Sequence, residues 1–545
     1  MILLRRLAAA ALSLLLVAAT APAVDQAAFD RQAADRIHGH VQFLASDELE
    51  GRDTGSRGHA VAAQYVAAQF TSLGLKPGGT GGGWFLQVPF RRASHARPPE
   101  VSLIAGGKPR LLSNVDVGLR PSLTEKQRTI EAGLVFVGHG IVEPRLGIDE
   151  YAGLDVAGKI VVVLRGSPDG VPPEVAAHLE LTKDQVAASK GAIGIAELTF
   201  VPGQPDYNPA PAVSRPIVDW VEPSVGGKAG AAGKAGAIRA VMVLSPTLSR
   251  QLFAGAPRSL DQLGASADRA LRGFALGARL AIRAESAWQD FASPEVIGLL
   301  PGGDSRLAQE YVVLMAHLDH LGINPIARPG EDAIYNGALD NAAGVATMIE
   351  AARHFVQSGR PPRRSLLFIA NTGEELGLLG ADYFASHPTV PARQIAAAIN
   401  LDMPLLTYDF IDIIEFGGDH STIGRIAAEA SRGMDVAVSP DPMPQEQLFV
   451  RSDHYRFVQR GIPSVFLMTG YANGGRKAWA SYLAFAYHKP NDDLSQAIRW
   501  SAGARFAELN YRIARALADA DDRPRWYRGD YFGETFAPGE PRAER

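Results

Sequence analysis

Ala316-His317-Leu318-Asp319-His320-Leu321-Gly322 follows directly on the apolar run Tyr311-Val312-Val313-Leu314-Met315. The same arrangement recurs twice. Ser365-Leu366-Leu367-Phe368-Ile369-Ala370 leads into Asn371-Thr372-Gly373-Glu374-Glu375, and the apolar run 395–401 leads into Asp402-Met403. Between the first two, Asn336-Gly337-Ala338-Leu339-Asp340-Asn341 opens a segment in which Val345, Met348, Ile349, Ala352 and Phe355 recur at helical spacing. Continuous apolar strands alternating with helices predict an α/β domain whose sheet is covered on both faces. Ligands of such sheets bind outside the strand ends. That is where His317, Glu374, Glu375 and Asp402 fall.

Upstream, residues 27–75 read mostly as helix, broken at Ser46-Asp47-Glu48-Leu49-Glu50-Gly51-Arg52, with a strand over 84–90 after a glycine-rich turn. From about 131 to 285 the texture changes to a second module. Its apolar runs Leu134-Val135-Phe136-Val137 and 159–164 read as strands, and it carries few clustered acids or histidines. Downstream, 410–416 and 464–468 read as strands. Tyr487-His488-Lys489-Pro490 supplies one more imidazole, after a 471–486 stretch that reads as a variable loop shaping the pocket.

The chain has 545 residues, 21% of them charged, with a formal net charge of -4 and both signs interleaved. This speaks against a nucleic-acid partner. There are no cysteines, which removes disulfides, thiolate ligands and a cysteine nucleophile together. Arg5-Arg6, the apolar run 7–19 and Ala21-Pro22-Ala23 have the form of a cleaved export signal, with Val24 as the first mature residue. The expected location is periplasmic or extracellular, with no membrane insertion after cleavage. The expected layout is a leader over 1–23, a first segment over 24–125, an insertion over 126–287, the main segment over 288–520 and a tail over 521–545.

Imidazoles and carboxylates at loop positions suit a borderline-soft divalent metal such as zinc. Two metals need one shared ligand. Asp340 is the natural bridge, since a carboxylate has two oxygens to give. His317 and Asp402 can complete one site, and Glu375 and His488 the other. Glu374 adjoins Glu375, so the two side chains point apart; one binds metal while the other faces the attacking water as general base. Asp319, two residues from His317, is placed to hold that imidazole's other nitrogen. Arg451, just before Ser452-Asp453-His454, is the candidate substrate contact, with an ion pair to a nearby acid as the structural alternative. His354 and His420 read as structural.

With these clusters in this order, the sequence resembles the secreted co-catalytic zinc exopeptidases, which include bacterial aminopeptidases and glutamate carboxypeptidases. The matching segments are His317-Leu318-Asp319, 337–341, Gly373-Glu374-Glu375-Leu376-Gly377, Asn400-Leu401-Asp402-Met403, Ser452-Asp453-His454 and Tyr487-His488. The resemblance implies a three-layer α/β/α domain with a mixed central sheet and two zinc ions. It implies His317 and Asp402 on one ion, Glu375 and His488 on the other, Asp340 on both, Glu374 as base and Tyr487 as donor to the tetrahedral oxyanion. Residues 40–52 look like the start of bacterial members. Phe136-Val137-Gly138-His139-Gly140 and Gly158-Lys159-Ile160-Val161-Val162 resemble a β-rich protease-associated insertion. Lys489 departs from the family, where Thr or Ser often follows the histidine.

The activity so implied is removal of N-terminal residues from peptides. A carboxypeptidase or dipeptidase is the rival, kept open by Arg451, Arg476, Lys477 and Lys489. A one-zinc glutaminyl cyclase is the more distant alternative.

Overall fold

The computed structural model describes residues 26–199, 207–225, 228–231, 238–264 and 271–545. The expected leader over 1–23, the expected start at Val24 and most of the 226–236 glycine-rich stretch lie outside the described residues.

The central sheet runs, from one edge, Ala437–Ser439, Asp412–Phe416, Ser464–Thr469, Ile395–Asn400, Tyr311–His317, Ser365–Asn371, the second half of Phe274–Leu300, Phe85–His95 and Ile217–Val225. Ser464–Thr469, Ile395–Asn400, Tyr311–His317 and Ser365–Asn371 are mutually parallel, and their outer neighbours on both sides are antiparallel. The sheet is therefore mixed. Ser365–Asn371 is buried along its whole length, as its unbroken apolar sequence requires. Alternate side chains sort to opposite faces. Val312, Leu314 and Ala316 join a core with helices Gln26–Leu44, Arg57–Ser72, Ala343–Gln357 and Trp500–Asp519. Val313 and Met315 join another with Leu379–Ser386 and His454–Val458. The result is three layers.

The helices end where the sequence stops them. Ser56 caps Arg57–Ser72 by accepting the His59 N–H at 3.1 Å. Gly359, in the left-handed region at φ 62°, follows Ala343–Gln357. The 471–486 stretch differs from its reading as a loop: Gly475–Phe485 is a helix. Trp479 and Tyr482, one turn apart, are both buried, and the Trp479 indole donates to the Thr469 carbonyl at 2.9 Å.

A second sheet runs Lys108–Leu111, Glu100–Ala105, the first half of Phe274–Leu300, Gln127–Phe136, Ile160–Leu164, Gly194–Leu198, Ala240–Leu244 and Val117–Leu119. Strands from Glu100 onward thus pair in this sheet, ahead of the expected boundary at 126. The cause is the alternation of Val101 and Leu103, whose buried faces meet Leu280 and Ile282 across the pair. The long strand Phe274–Leu300 serves both sheets. It pairs with Glu100–Ala105 up to Arg283 and with Phe85–His95 from Ser286.

Glu415, on the strand Asp412–Phe416, is a half-buried acid whose Oε1 is buried without a hydrogen-bond partner. Burial, aided by Asp419, pushes its carboxyl up to about 8. The unfolded chain releases this proton near pH 4.5, so the folded state holds it across the window from 4.5 to 8. Stability therefore falls as pH rises through that window. Glu415→Gln is expected to leave the thermal midpoint unchanged at pH 5 and to raise stability at pH 9 by on the order of 2–4 kcal/mol. Equal effects at both pH values would show that the carboxyl is not the cause.

Candidate metal centre

All four parallel strands deliver their C-terminal ends to one region. His317 is the last residue of Tyr311–His317, and Glu374 and Glu375 follow Ser365–Asn371 by a tight turn through Gly373 at φ 71°. Asp402 lies two residues past Ile395–Asn400. Asp340 sits in the π-turn Ala338–Ala342 before helix Ala343–Gln357, and its peptide to Asn341 is cis. Gly337 makes this turn possible. At φ 60° it accepts the left-handed region, and a Cβ there would stand 2.3 Å from the Asp340 carbonyl oxygen and 2.7 Å from the His320 ring. His488 arrives from the loop after Gly475–Phe485.

The predicted ligands converge. His317 Nε2 lies 3.2 Å from Asp340 Oδ1 and 3.1 Å from Asp402 Oδ1. His488 Nε2 lies 3.3 Å from both Asp340 Oδ2 and Glu375 Oε2. The two oxygens of Asp340 thus face two different imidazoles. His320 Nδ1, 2.6 Å from Glu375 Oε1, adds a contact the sequence did not single out. Burial lowers the His320 pKa to about 4, and its tautomer decides whether Nδ1 donates to the Glu375 carboxylate or accepts from the Glu375 carboxyl.

Hydrogen-bond bookkeeping tests whether these residues fit a metal. His317 Nδ1 lies 3.1 Å from the Asp319 carbonyl oxygen, so that nitrogen carries the proton. Its Nε2 then faces two carboxylate oxygens, an arrangement that either a proton on Nε2 or a metal ion between the three groups makes favourable. Against the opposing effect of burial, the carboxylates around His317 raise its pKa well above the ordinary imidazole value. Asp340 Oδ2 is buried and, though near His488, has no hydrogen-bond partner. Among the described residues, three donor groups meet the spacing for an ion: His317, Asp340 and Asp402; His320, Asp340 and Glu375; and His317, Glu374 and Glu375. The donor set fits a divalent metal ion, and Asp340 belongs to two of the three groups.

Electrostatics agree. Burial, with Asp340 next, pushes Glu375 up to about 8, and burial raises Glu374 well above the carboxylate range. Burial likewise raises Asp453, to about 7. Asp340 goes the other way: burial opposes its ionisation, but His317 and His488 hold it well below its ordinary value. A buried cluster this rich in carboxylates takes up protons when no other cation neutralises it.

Asp319 is in the centre but differs from its expected role. Its backbone carbonyl, not its carboxylate, holds the His317 ring. The carboxylate accepts instead from the Thr54 hydroxyl at 2.9 Å and from the backbone N–H groups of Glu374 at 3.2 Å and Glu375 at 3.4 Å. The tight turn of the two glutamates presents those N–H groups to it, which wins over the ring. Glu375 is thereby turned to His320 and His488. The Glu374 carboxylate has no hydrogen-bond or ion-pair partner among the described residues and lines the cavity.

Further residues brace the ligand loops. Arg52 is 1% exposed and donates to the carbonyls of Leu318 at 2.9 Å, Asn336 at 2.7 Å and Gly337 at 3.0 Å, cross-linking the His317 and Asp340 loops. Asp492 accepts the N–H of Leu339 at 3.0 Å and of Asp340 at 2.9 Å, joining the Asp340 turn to the chain that carries His488. Asn341 spans from the Leu401 carbonyl to the Met403 N–H, tying the same turn to Asp402. The Ser452 hydroxyl donates to Asp402 and accepts from Asn400. His354 and His420 lie outside the centre. Each sits between two carboxylates: Glu350 and Glu508 for the first, Glu174 and Asp530 for the second.

The cavity over the cluster has a volume of about 320 Å³. Tyr487, stacked on His488 at 3.9 Å between centroids, lines it, and burial with the nearby carboxylates keeps its phenol protonated. Arg451 also lines it, paired with Glu446 at 3.4 Å. Arg476, Lys477 and Lys489 do not reach its lining.

Residues 295–514 match the model of peptidase family M28. Among curated proteins, the chain is similar to a probable zinc metalloprotease of Pyrenophora teres f. teres (strain 0-1), 37% identical over 108 residues, which is 20% of this chain and 22% of that protein. It is also similar to a vacuolar membrane protease of Yarrowia lipolytica, 41% identical over 66 residues, 12% of this chain and 6% of that protein. The chain thus spans less than a quarter of the length of these curated relatives. Among solved structures, an aminopeptidase from Aneurinibacillus sp. strain AM-1 aligns with a TM-score of 0.50 at 20% identity, over 91% of this chain and 97% of that one, a likeness of fold. No helix among the described residues is long and apolar enough to cross a membrane.

Proposed function

We propose that this chain, whose residues 295–514 are a peptidase family M28 domain, is a zinc aminopeptidase with two metal sites. The observation that carries the direction of attack is the charge of the cavity. Asp340, Glu374, Glu375, Asp402 and Glu446 line it, against a single guanidinium, Arg451, already paired with Glu446. Asp340, Glu375 and Asp402 are balanced once they hold metal, so the discriminating group is Arg451. With its guanidinium paired to Glu446, a terminal carboxylate meets no unpaired cation among the described lining residues, and a free ammonium meets no opposing charge. The division of the Asp340 oxygens between two imidazoles supports two ions and speaks against the one-zinc cyclase.

In this reading His317, Asp340 and Asp402 would hold one ion, and Asp340, Glu375 and His488 the other, with His320 steadying Glu375. When bound, the ions polarise the scissile carbonyl and make water acidic enough to ionise near pH 7. Glu374 takes the proton of the attacking water on its free carboxylate and returns it to the departing amine nitrogen. The Tyr487 hydroxyl donates to the oxyanion. The Asp319 carboxylate fixes the backbone of both glutamates, and its carbonyl fixes the His317 tautomer. Arg451 meets the substrate at the cavity wall, where it can reach a peptide carbonyl. The layout of leader, interrupted peptidase domain and inserted module is part of the proposal. The apolar run 7–19 before Ala21-Pro22-Ala23 supports export to the periplasm or medium.

The zinc-loaded protein is expected to shorten free-amine peptides from the N-terminus and to spare their N-acetylated forms. Chelation should abolish the activity and added zinc restore it. Release of C-terminal residues from the N-acetylated peptides would sink the aminopeptidase reading in favour of a carboxypeptidase.

A further inference from the structure

One wall of the cavity does not belong to the sheet. It is the chain from Met443 to Ser452, folded as the turns Pro444–Glu446 and Leu448–Val450. Met443, Glu446, Leu448 and Arg451 line the cavity from it. Phe449 and Val450 are buried. Around the Phe449 ring stand His420 at 4.6 Å, Phe532 at 5.0 Å and Tyr455 at 5.8 Å between centroids.

The inserted module reaches this point. Its helix Pro173–Leu181 packs against both turns of the wall. His178 Nδ1 of that helix lies 2.7 Å from the Tyr455 hydroxyl, and Glu174 Oε2 lies 2.9 Å from His420 Nε2. The other nitrogen of His420 lies 2.6 Å from Asp530 of the C-terminal tail. Insertion and tail therefore meet on one imidazole, in ring contact with Phe449. The two carboxylates overcome the effect of burial and raise His420 to about 9, so that both its N–H groups donate.

We propose that His420, clamped by Glu174 and Asp530, is a positioning residue that fixes the 443–452 wall through Phe449 and so sets the preference of the cavity for an apolar terminal side chain. The inference rests on the aminopeptidase reading. Met403, Met443, Leu448, Met468, Trp479 and Leu483 give the cavity its apolar surface. A leucyl side chain fills such a space and feels the position of the wall. An alanyl methyl is too small to depend on it. The inserted module then acts on selectivity without touching substrate.

Leucyl and alanyl p-nitroanilides, assayed with zinc-loaded wild type, Glu174→Lys, Glu174→Gln and Leu448→Ala, test this. Wild type that turns over neither anilide would remove the aminopeptidase reading itself. Given turnover, Glu174→Lys, which sets a second cation against His420, is expected to lower the leucyl-to-alanyl ratio of kcat/KM by roughly tenfold, the low end of what one pocket contact is worth. The change should lie in KM for the leucyl substrate, with alanyl kcat and zinc per chain unchanged. Glu174→Gln keeps an acceptor for His420 and should lower the ratio by less. Leu448→Ala, acting at the wall itself, should lower it as well. An unchanged ratio in Glu174→Lys overturns the inference, as does a parallel loss on both substrates, which marks a merely structural role. If Glu174→Lys does not fold, an unchanged ratio in Glu174→Gln overturns it equally.

Discussion

Glu374→Gln is expected to lower kcat by roughly 10²- to 10⁴-fold, the usual worth of a general base, while zinc per chain stays at the wild-type value. The two halves of this result come from different neighbours. The Asp319 carboxylate grips the N–H groups of both Glu374 and Glu375, so the turn keeps its shape when the side chain changes. Glu375 faces His320 and His488, the pairing that holds a metal in the proposed reading. Glu374 faces the cavity with no such partner. Glutamine preserves the size of the side chain and removes only its capacity to accept a proton. Elemental analysis beside single-turnover kinetics would separate the effects. Loss of zinc in this variant would mean that the two glutamates have exchanged roles.

Asp492→Ala should weaken zinc binding by about 10- to 100-fold, as loss of a group behind the ligands commonly does. The same change strips the Leu339 and Asp340 N–H groups of their acceptor in a fully buried place. Each orphaned donor costs about 1–3 kcal/mol, so the thermal midpoint should fall too. Asp492 is fully buried, and that burial, with Asp340 next, raises its carboxyl to about 6. Asp492→Asn retains one acceptor oxygen and should lie between the two. Competition with a chromophoric chelator reads the affinity directly. A folded Asp492→Ala protein with wild-type zinc affinity would show that the Asp340 turn holds itself.

The ligand loops were legible because strand ends announce themselves: an apolar run stops and a carboxylate or imidazole follows. His317, Glu374, Glu375 and Asp402 are of this kind. The braces were not legible, because they act on backbone carbonyls and N–H groups that no side-chain pattern records. Arg52 reaches Gly337 across 285 positions of sequence, and nothing near Arg52 marks the partner. Its polar neighbourhood, 46–52, read as a break between helices and as part of the stretch 40–52 that resembles the start of bacterial family members, with no role at the site. His320 stood in plain view inside the first cluster. Its role depended on which way the 318–322 turn faces, and spacing does not give that. Asp319 was placed correctly near His317, but the competition of two backbone N–H groups for its carboxylate is a three-dimensional fact. The 471–486 stretch lost its helix to its glycines, Gly474 and Gly475, whereas Trp479 and Tyr482 at helical spacing were the stronger signal.

The long strand Phe274–Leu300 has a consequence for the order in which the chain assembles as it is synthesised. Its partners in the second sheet, Glu100–Ala105 and Gln127–Phe136, precede it, so that sheet can close once residue 285 has emerged. The second half finds Phe85–His95 already present, but its other neighbour, Ser365–Asn371, comes later. During that interval the nascent chain offers an unpaired apolar edge at Val296, Ile297 and Leu299, the kind of edge that invites aggregation. The second sheet is then the first piece to become whole, and the long strand it shares presents the edge on which the rest of the central sheet is laid down.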